Sequence, residues 1–201
     1  MIKNIIFDIG DVLMRFTWNE YIKELFNGDT ATIDAVNEAI NETGLWIELD
    51  RNVIPEEEVF YRMRNYNPAH WKDVVKALDC ASGCFNRVDY AIPWIEELKA
   101  KGYKIYFLSN YSLFNLRSGP EVVDFLPLTD GGVFSYEVHL LKPDRAIYEE
   151  ICKKYSLIPS ECIFIDDRKE NVEAARTFGM QAIHFKNYED TDKELQEMLN
   201  Q

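Results

Sequence analysis

Three short apolar runs in this chain each stop at acidic or hydroxyl-bearing residues, and this repetition constrains the fold more than any other feature. Asn4-Ile5-Ile6-Phe7 stops at Asp8, Lys104-Ile105-Tyr106-Phe107-Leu108 at Ser109-Asn110, and Cys162-Ile163-Phe164-Ile165 at Asp166-Asp167. Apolar residues at successive positions, with no polar alternation, mark strands buried on both faces. Such strands need a layer of helices on each side. Helical spacing follows or precedes them: Ala91, Ile92, Ile95 and Leu98 before Lys101-Gly102, then Ile147, Tyr148 and Ile151, then a helix from Glu170 to Phe178 closed by Gly179. The pattern predicts an α/β fold with a doubly wound, mostly parallel sheet. In such sheets ligands bind at the carboxyl ends of the strands. Asp8 is therefore a candidate catalytic residue, although Asp and Gly after a strand also suit an ordinary turn.

The alternation is interrupted after its first strand. Tyr21, Ile22, Leu25 and Phe26 recur at helical spacing; Thr30 or Thr32 suits a cap for a second helix bearing Ile33, Val36 and Ile40. Pro55 before Glu56-Glu57-Glu58 suits a helix start, and Trp71, Val74, Val75 and Leu78 begin another. Nothing between Met14 and Arg87 reads clearly as a strand. The expected organisation is an α/β core from residues 1–13 and 88–201, with residues 14–87 inserted as an all-helical unit. Later, Val133-Phe134-Ser135-Tyr136 suits a short strand, Lys142-Pro143-Asp144 a helix start, and Ala182 to Phe185 a final strand.

Composition narrows the function. The 201 residues are 47% hydrophobic, enough for a proper core, and carry a net charge of −13. That charge argues against nucleic acid or an anionic membrane surface as a partner, and no protein partner is evident. An anionic substrate needs a local cation to reverse the sign at its site. The four cysteines form no Cys-x-x-Cys pair and read as reduced, structural thiols. There is no signal-peptide pattern and no apolar run of membrane-spanning length, so the expected location is cytoplasmic.

Asp8, Asp166 and Asp167, brought together on one rim, repel one another and raise one another's pKa. An oxygen-only set without His or Cys suits a hard divalent ion, and a few carboxylates beside water and phosphate suit Mg2+. Lys142 at a helix start adds positive charge, and Ser109 and Asn110 are donors suited to phosphate oxygens. Together these supply a nucleophile, charge neutralisation and positioning donors, the components of phosphoryl transfer.

Read in order, Phe7-Asp8-Ile9-Gly10-Asp11-Val12, Leu108-Ser109-Asn110, Lys142-Pro143 and Ile165-Asp166-Asp167 resemble the four motifs of the haloacid dehalogenase (HAD) superfamily of hydrolases. The resemblance spans essentially the whole chain and implies a Rossmann-like core, with residues 14–87 as the family's helical cap. It also implies a Mg2+-dependent phosphatase acting on a small phosphorylated metabolite. By the same resemblance Asp8 is the nucleophile that forms an aspartyl-phosphate, and Ser109 and Lys142 hold the phosphoryl group. Asp8, Asp166, Asp167 and the Gly10 carbonyl would surround the metal, with Asn110 and Asn171 as further substrate or supporting contacts.

One position departs from the family. Most of its phosphatases carry a second aspartate two residues after the nucleophile, which protonates the leaving group. Here that position is Gly10, and Asp11 comes one residue too late. Three explanations compete: the leaving group is a good one, as in a sugar 1-phosphate; a cap residue or a water supplies the proton; or catalysis is lost. The chain resembles the α-D-glucose-1-phosphate phosphatase subgroup at this point. A dehalogenase, in which Asp8 attacks carbon, and a non-catalytic binding module are the competing readings. Asp166-Asp167 argues against the first, since that chemistry uses no metal.

Overall fold

The computed structural model describes residues 1–200. Five parallel strands form the central sheet: β1 (Asn4–Phe7), β4 (Lys104–Ser109), β5 (Gly131–Phe134), β6 (Cys162–Asp166) and β7 (Gln181–His184). Their order is β5-β4-β1-β6-β7. The chain leaves β1 toward β4 and β5 on one side and returns to β6 and β7 on the other. The direction of winding thus reverses at β1, and a crevice opens above the carboxyl ends of β1, β4 and β6.

The continuous apolar runs are explained by this sheet. Side chains alternate across a strand, and those of β1 divide accordingly. Ile5 and Phe7 enter one buried cluster and Ile6 the other. Each face is covered by helices. On one side lie α6 (Ala91–Ala100) and α11 (Tyr188–Leu199); on the other lie α9 (Arg145–Tyr155) and α10 (Lys169–Phe178). Trp94 of α6 is fully buried, stacks edge-on against Phe7 at 4.8 Å and donates its indole N–H to Asp192 of α11 at 2.8 Å.

Between β1 and α6 stand five helices, α1 (Trp18–Leu25), α2 (Thr30–Asn37), α3 (Leu45–Arg51), α4 (Glu56–Tyr66) and α5 (Trp71–Asp79). Ile22, Val36, Ile40, Val59, Met63, Val74 and Ala77 are buried among them. The helix α2 is preceded by Asp29, whose carboxylate accepts from the Thr32 hydroxyl at 2.8 Å, so Asp29 and not Thr30 or Thr32 holds the capping position.

The inserted segment is not all-helical. Met14–Phe16 (β2) and Phe85–Arg87 (β3) pair antiparallel, with Phe16 opposite Phe85, as a two-stranded ribbon. Its three-residue strands carry one buried side chain each at most, too little alternation to be read from sequence. The expected strand Val133–Tyr136 is also corrected. It ends at Phe134, and Ser135–Val138 turns into a short helix, α8. Among the described residues no helix is long and apolar enough to cross a membrane.

Candidate active site

The ends of β1, β4 and β6 and the helix start after Lys142 meet at a cavity of about 350 Å³. Its floor is polar, with Asp8, Asn110, Lys142, Asp167 and Asn171, and its walls carry Phe16, Trp46 and Phe85. A cavity of this size suits a small ligand.

Asp8 is the first residue beyond β1. Its amide still donates to the Ile165 carbonyl at 2.8 Å, so β6 fixes its backbone. Its Oδ1 accepts from the Ile9 amide at 2.7 Å and lies 2.8 Å from Lys142 Nζ. Neither contact uses Oδ2. Burial pushes the Asp8 carboxyl up to about 6, against the pull of Lys142, while Asp166 adds to the rise. The buried Ser109 hydroxyl favours the charged carboxylate. Ser109 does not form part of the cavity wall.

Lys142 is almost fully buried and bridges two carboxylates, Asp8 Oδ1 at 2.8 Å and Asp166 Oδ2 at 2.7 Å. Burial alone would lower its pKa, but Asp8 and Asp166 outweigh it and the net shift is upward. The ammonium is a fixed charge. Its backbone is clamped by Asn110, which accepts from the Lys142 amide at 2.8 Å and donates to its carbonyl at 3.0 Å. Oδ1 and one Nδ2 proton of Asn110 are engaged there, so Asn110 positions Lys142 while it also lines the cavity.

Asp166, at the end of β6, is completely buried. Its Oδ1 accepts from the Arg168 amide at 2.8 Å and Asn171 Nδ2 at 2.9 Å; its Oδ2 accepts from Lys142 and from Asn171 Nδ2 at 3.1 Å. Three donor atoms, the Arg168 amide, Asn171 Nδ2 and Lys142 Nζ, thus share its two oxygens. Asp166 thereby orders Lys142 and Asn171. Asp167 has no such partners. Burial first, and then Asp8 and Asp166, push its carboxyl up to about 7.

Carboxylate oxygens of Asp8, Asp166 and Asp167 lie within 4.8 Å of one another. One ammonium faces three carboxylates, an excess of negative charge that a divalent cation relieves. The donor set is all oxygen, which fits Mg2+. Asn171 Oδ1 is buried without a partner beside it, an acceptor suited to a water on such an ion. The residues fit the metal.

Three further residues bear on the site. His184 Nε2 lies 2.8 Å from the Asp167 carbonyl and steadies that loop; its place opposite Asp166 in the β6–β7 register is the signal that locates it. Phe16 and Trp46, aromatic residues of the insert, line the cavity. Trp18 is buried within the insert, whereas Trp71 is half-exposed. Asp11 accepts from the Phe16 amide at 3.0 Å and is engaged with the loop toward β2. Arg168 pairs with Glu170 at 2.7 Å near the cavity mouth.

The haloacid dehalogenase-like hydrolase family matches residues 2–179. The chain belongs to this family. It is 28% identical over 198 residues to a sesquiterpene phosphatase from Aspergillus oryzae, covering 98% of this chain and 96% of that one. It is 28% identical over 207 residues to a D-ribitol-5-phosphate phosphatase from Bacteroides thetaiotaomicron, with both chains covered completely. A magnesium complex of a HAD family enzyme from Bacteroides thetaiotaomicron superposes with a TM-score of 0.75 at 20% identity, over 96% of this chain and 98% of that one.

Proposed function

We propose that this HAD-like hydrolase is a Mg2+-dependent phosphatase of a small phosphorylated metabolite, working through an aspartyl-phosphate on Asp8. The observation that carries this reading is the buried Asp8–Lys142–Asp166 chain beside an unpartnered Asp167. It leaves one carboxylate oxygen of Asp8 free while fixing the other. Two relatives of matching length are phosphatases by name.

Asp8 attacks phosphorus in line and Lys142 holds the phosphoryl oxygens, while the buried Ser109 hydroxyl supports the charged Asp8 carboxylate. Asp8, Asp167 and the Gly10 carbonyl would hold the ion, with Asp166 behind them. When bound, Mg2+ supplies the positive charge that lets a dianionic phosphate approach Asp8. Water then attacks phosphorus and frees Asp8. Residues 14–87 act as a cap over the 1–13 and 88–201 core and restrict water above the site. A sugar 1-phosphate, whose anomeric oxygen leaves with less help from an acid, is the substrate class to expect if no other residue replaces the aspartate absent at Gly10.

The test is phosphate release from a panel of sugar 1-phosphates, sugar 6-phosphates and alditol phosphates, in Mg2+ or EDTA. Turnover in Mg2+ that EDTA abolishes is expected. Halide release from a 2-haloacid without metal would instead support the dehalogenase reading, and no turnover with Mg2+ bound would support a binding module.

A further inference from the structure

The missing acid has a structural replacement, and it comes from the insert. We propose that Asp50, near the end of α3, donates the proton to the leaving group and then takes one from the attacking water. This rests on the phosphatase reading above.

Four observations converge on Asp50. It is buried, at 8% exposure, yet lines the same cavity as Asp8, Lys142 and Asp167. Its Oδ1 is enclosed with no hydrogen-bond partner, a costly state for a polar atom unless something else engages it. Its position is over-determined from the core side. The Ser135 hydroxyl donates to the Asp50 carbonyl at 2.7 Å, His139 Nδ1 lies 3.0 Å from the Arg51 carbonyl, and Asn52 donates to the Tyr136 carbonyl at 3.2 Å. Three successive residues are thus tied to α8 and the turn after it. The groups that act on it electrostatically are Asp8 and Lys142, and Tyr111 feels it in turn.

The other carboxylates near the cavity are accounted for. Asp11 serves the loop, Asp166 is shared by three donors, and Asp167 faces the ion site. Asp50 lies outside the close triad of Asp8, Asp166 and Asp167. Burial first, and then the charge of Asp8, push its carboxyl up to about 7. It therefore holds a proton near neutrality, as a general acid must.

The chemistry balances. In the first half-reaction the Asp8 oxygen bonds phosphorus, the ester P–O bond breaks, and the departing oxygen takes the Asp50 proton. In the second, water oxygen bonds phosphorus, its proton passes to the Asp50 carboxylate, and the Asp8–phosphorus bond breaks. The net reaction is hydrolysis of one monoester, with Asp50 returned to its protonated form.

The test compares wild type and Asp50→Asn in Mg2+ on a primary alkyl phosphate and on p-nitrophenyl phosphate, whose nitrophenolate leaves without a proton. Asp50→Asn is expected to lose about a hundredfold or more in kcat/KM on the alkyl ester. On the aryl ester it is expected to lose far less, and to release one nitrophenolate per enzyme in a burst before a slow phase, as the aspartyl-phosphate accumulates. Thermal unfolding checks that Asp50→Asn folds. An ideal Cβ on Gly10 meets nothing within 4 Å, so Gly10→Asp added to Asp50→Asn is expected to restore alkyl turnover. Equal losses on both esters, without a burst or restoration, would assign Asp50 a packing role and overturn the proposal. Unchanged alkyl turnover would also overturn it. Failure of the parent reading is distinct: wild type then turns over neither ester and Asp8 takes no phosphoryl label.

Discussion

Lys142 is held at both ends, its ammonium between two carboxylates and its backbone in the Asn110 amide. Lys142→Met leaves Asp8 and Asp166 buried without their cation. Breaking such a buried pair costs about 3–5 kcal/mol, so denaturant unfolding should show a loss of that order, together with loss of turnover. A stability equal to wild type would contradict the buried pairing. Acid–base behaviour gives a second prediction at this scale. Burial holds Asp50 and Asp167 protonated up to about 7, while the unfolded chain gives up these protons near 3.9. The folded state therefore binds more protons between those limits, and its stability falls as pH rises through that window. In EDTA, the unfolding free energy should decline from about pH 4 to about pH 7, and Asp50→Asn should flatten the decline. An identical slope in both proteins would contradict the burial of Asp50 as a carboxylic acid. Asp8, Ser109, Lys142, Asp166 and Asp167 were legible as residues because each ends a strand or opens a helix. Local spacing puts Asp50 between helices and leaves open whether it faces the site, since nothing in that spacing says that α3 docks its last turn on α8.

At the scale of elements, β5 is a strand that only glycine allows. An ideal Cβ on Gly132 would meet the Phe107 ring at 2.4 Å, because β5 lies in register beside β4 with Gly132 opposite Phe107. Gly132→Ala forces that ring aside and should destabilise the protein by about 1–3 kcal/mol, read as a lower melting temperature. An unchanged melt would mean that Phe107 yields freely. At the opposite edge of the sheet, β7 acts on the site through His184. Outer partners of a metal site typically change affinity by about 10–100-fold when removed. His184→Ala should weaken Mg2+ binding by at least the lower figure in calorimetry, and unchanged binding would show that the Asp167 loop holds itself. The five parallel strands were legible because runs buried on both faces need no register to be recognised. The β2–β3 ribbon was not, because two three-residue strands pair only once the insert between them has folded. Val133–Tyr136 misled for a related reason: its apolar alternation continues past Phe134, where the backbone turns into α8.

At the scale of the whole molecule, an acidic chain of net charge −13 gathers one buried ammonium, Lys142, among the carboxylates at the strand ends. The sheet reverses its winding at β1, which places Asp8 between the rim residues of β4 and β6. The ribbon carries the helical insert over that rim, and Phe16, Trp46 and Asp50 close the cavity from the insert side. Two-layer helical packing around a parallel sheet was readable from periodicity alone. The closing of the cavity was not, because it depends on how the insert is set against the core. The most direct measurement is a single turnover of a phosphomonoester in Mg2+, quenched in acid, with the protein examined by mass spectrometry. The account predicts a phosphoryl adduct on the Asp8 peptide, absent in Asp8→Asn and in EDTA. Release of phosphate by Asp8→Asn at the wild-type rate, with no adduct in either protein, would contradict it.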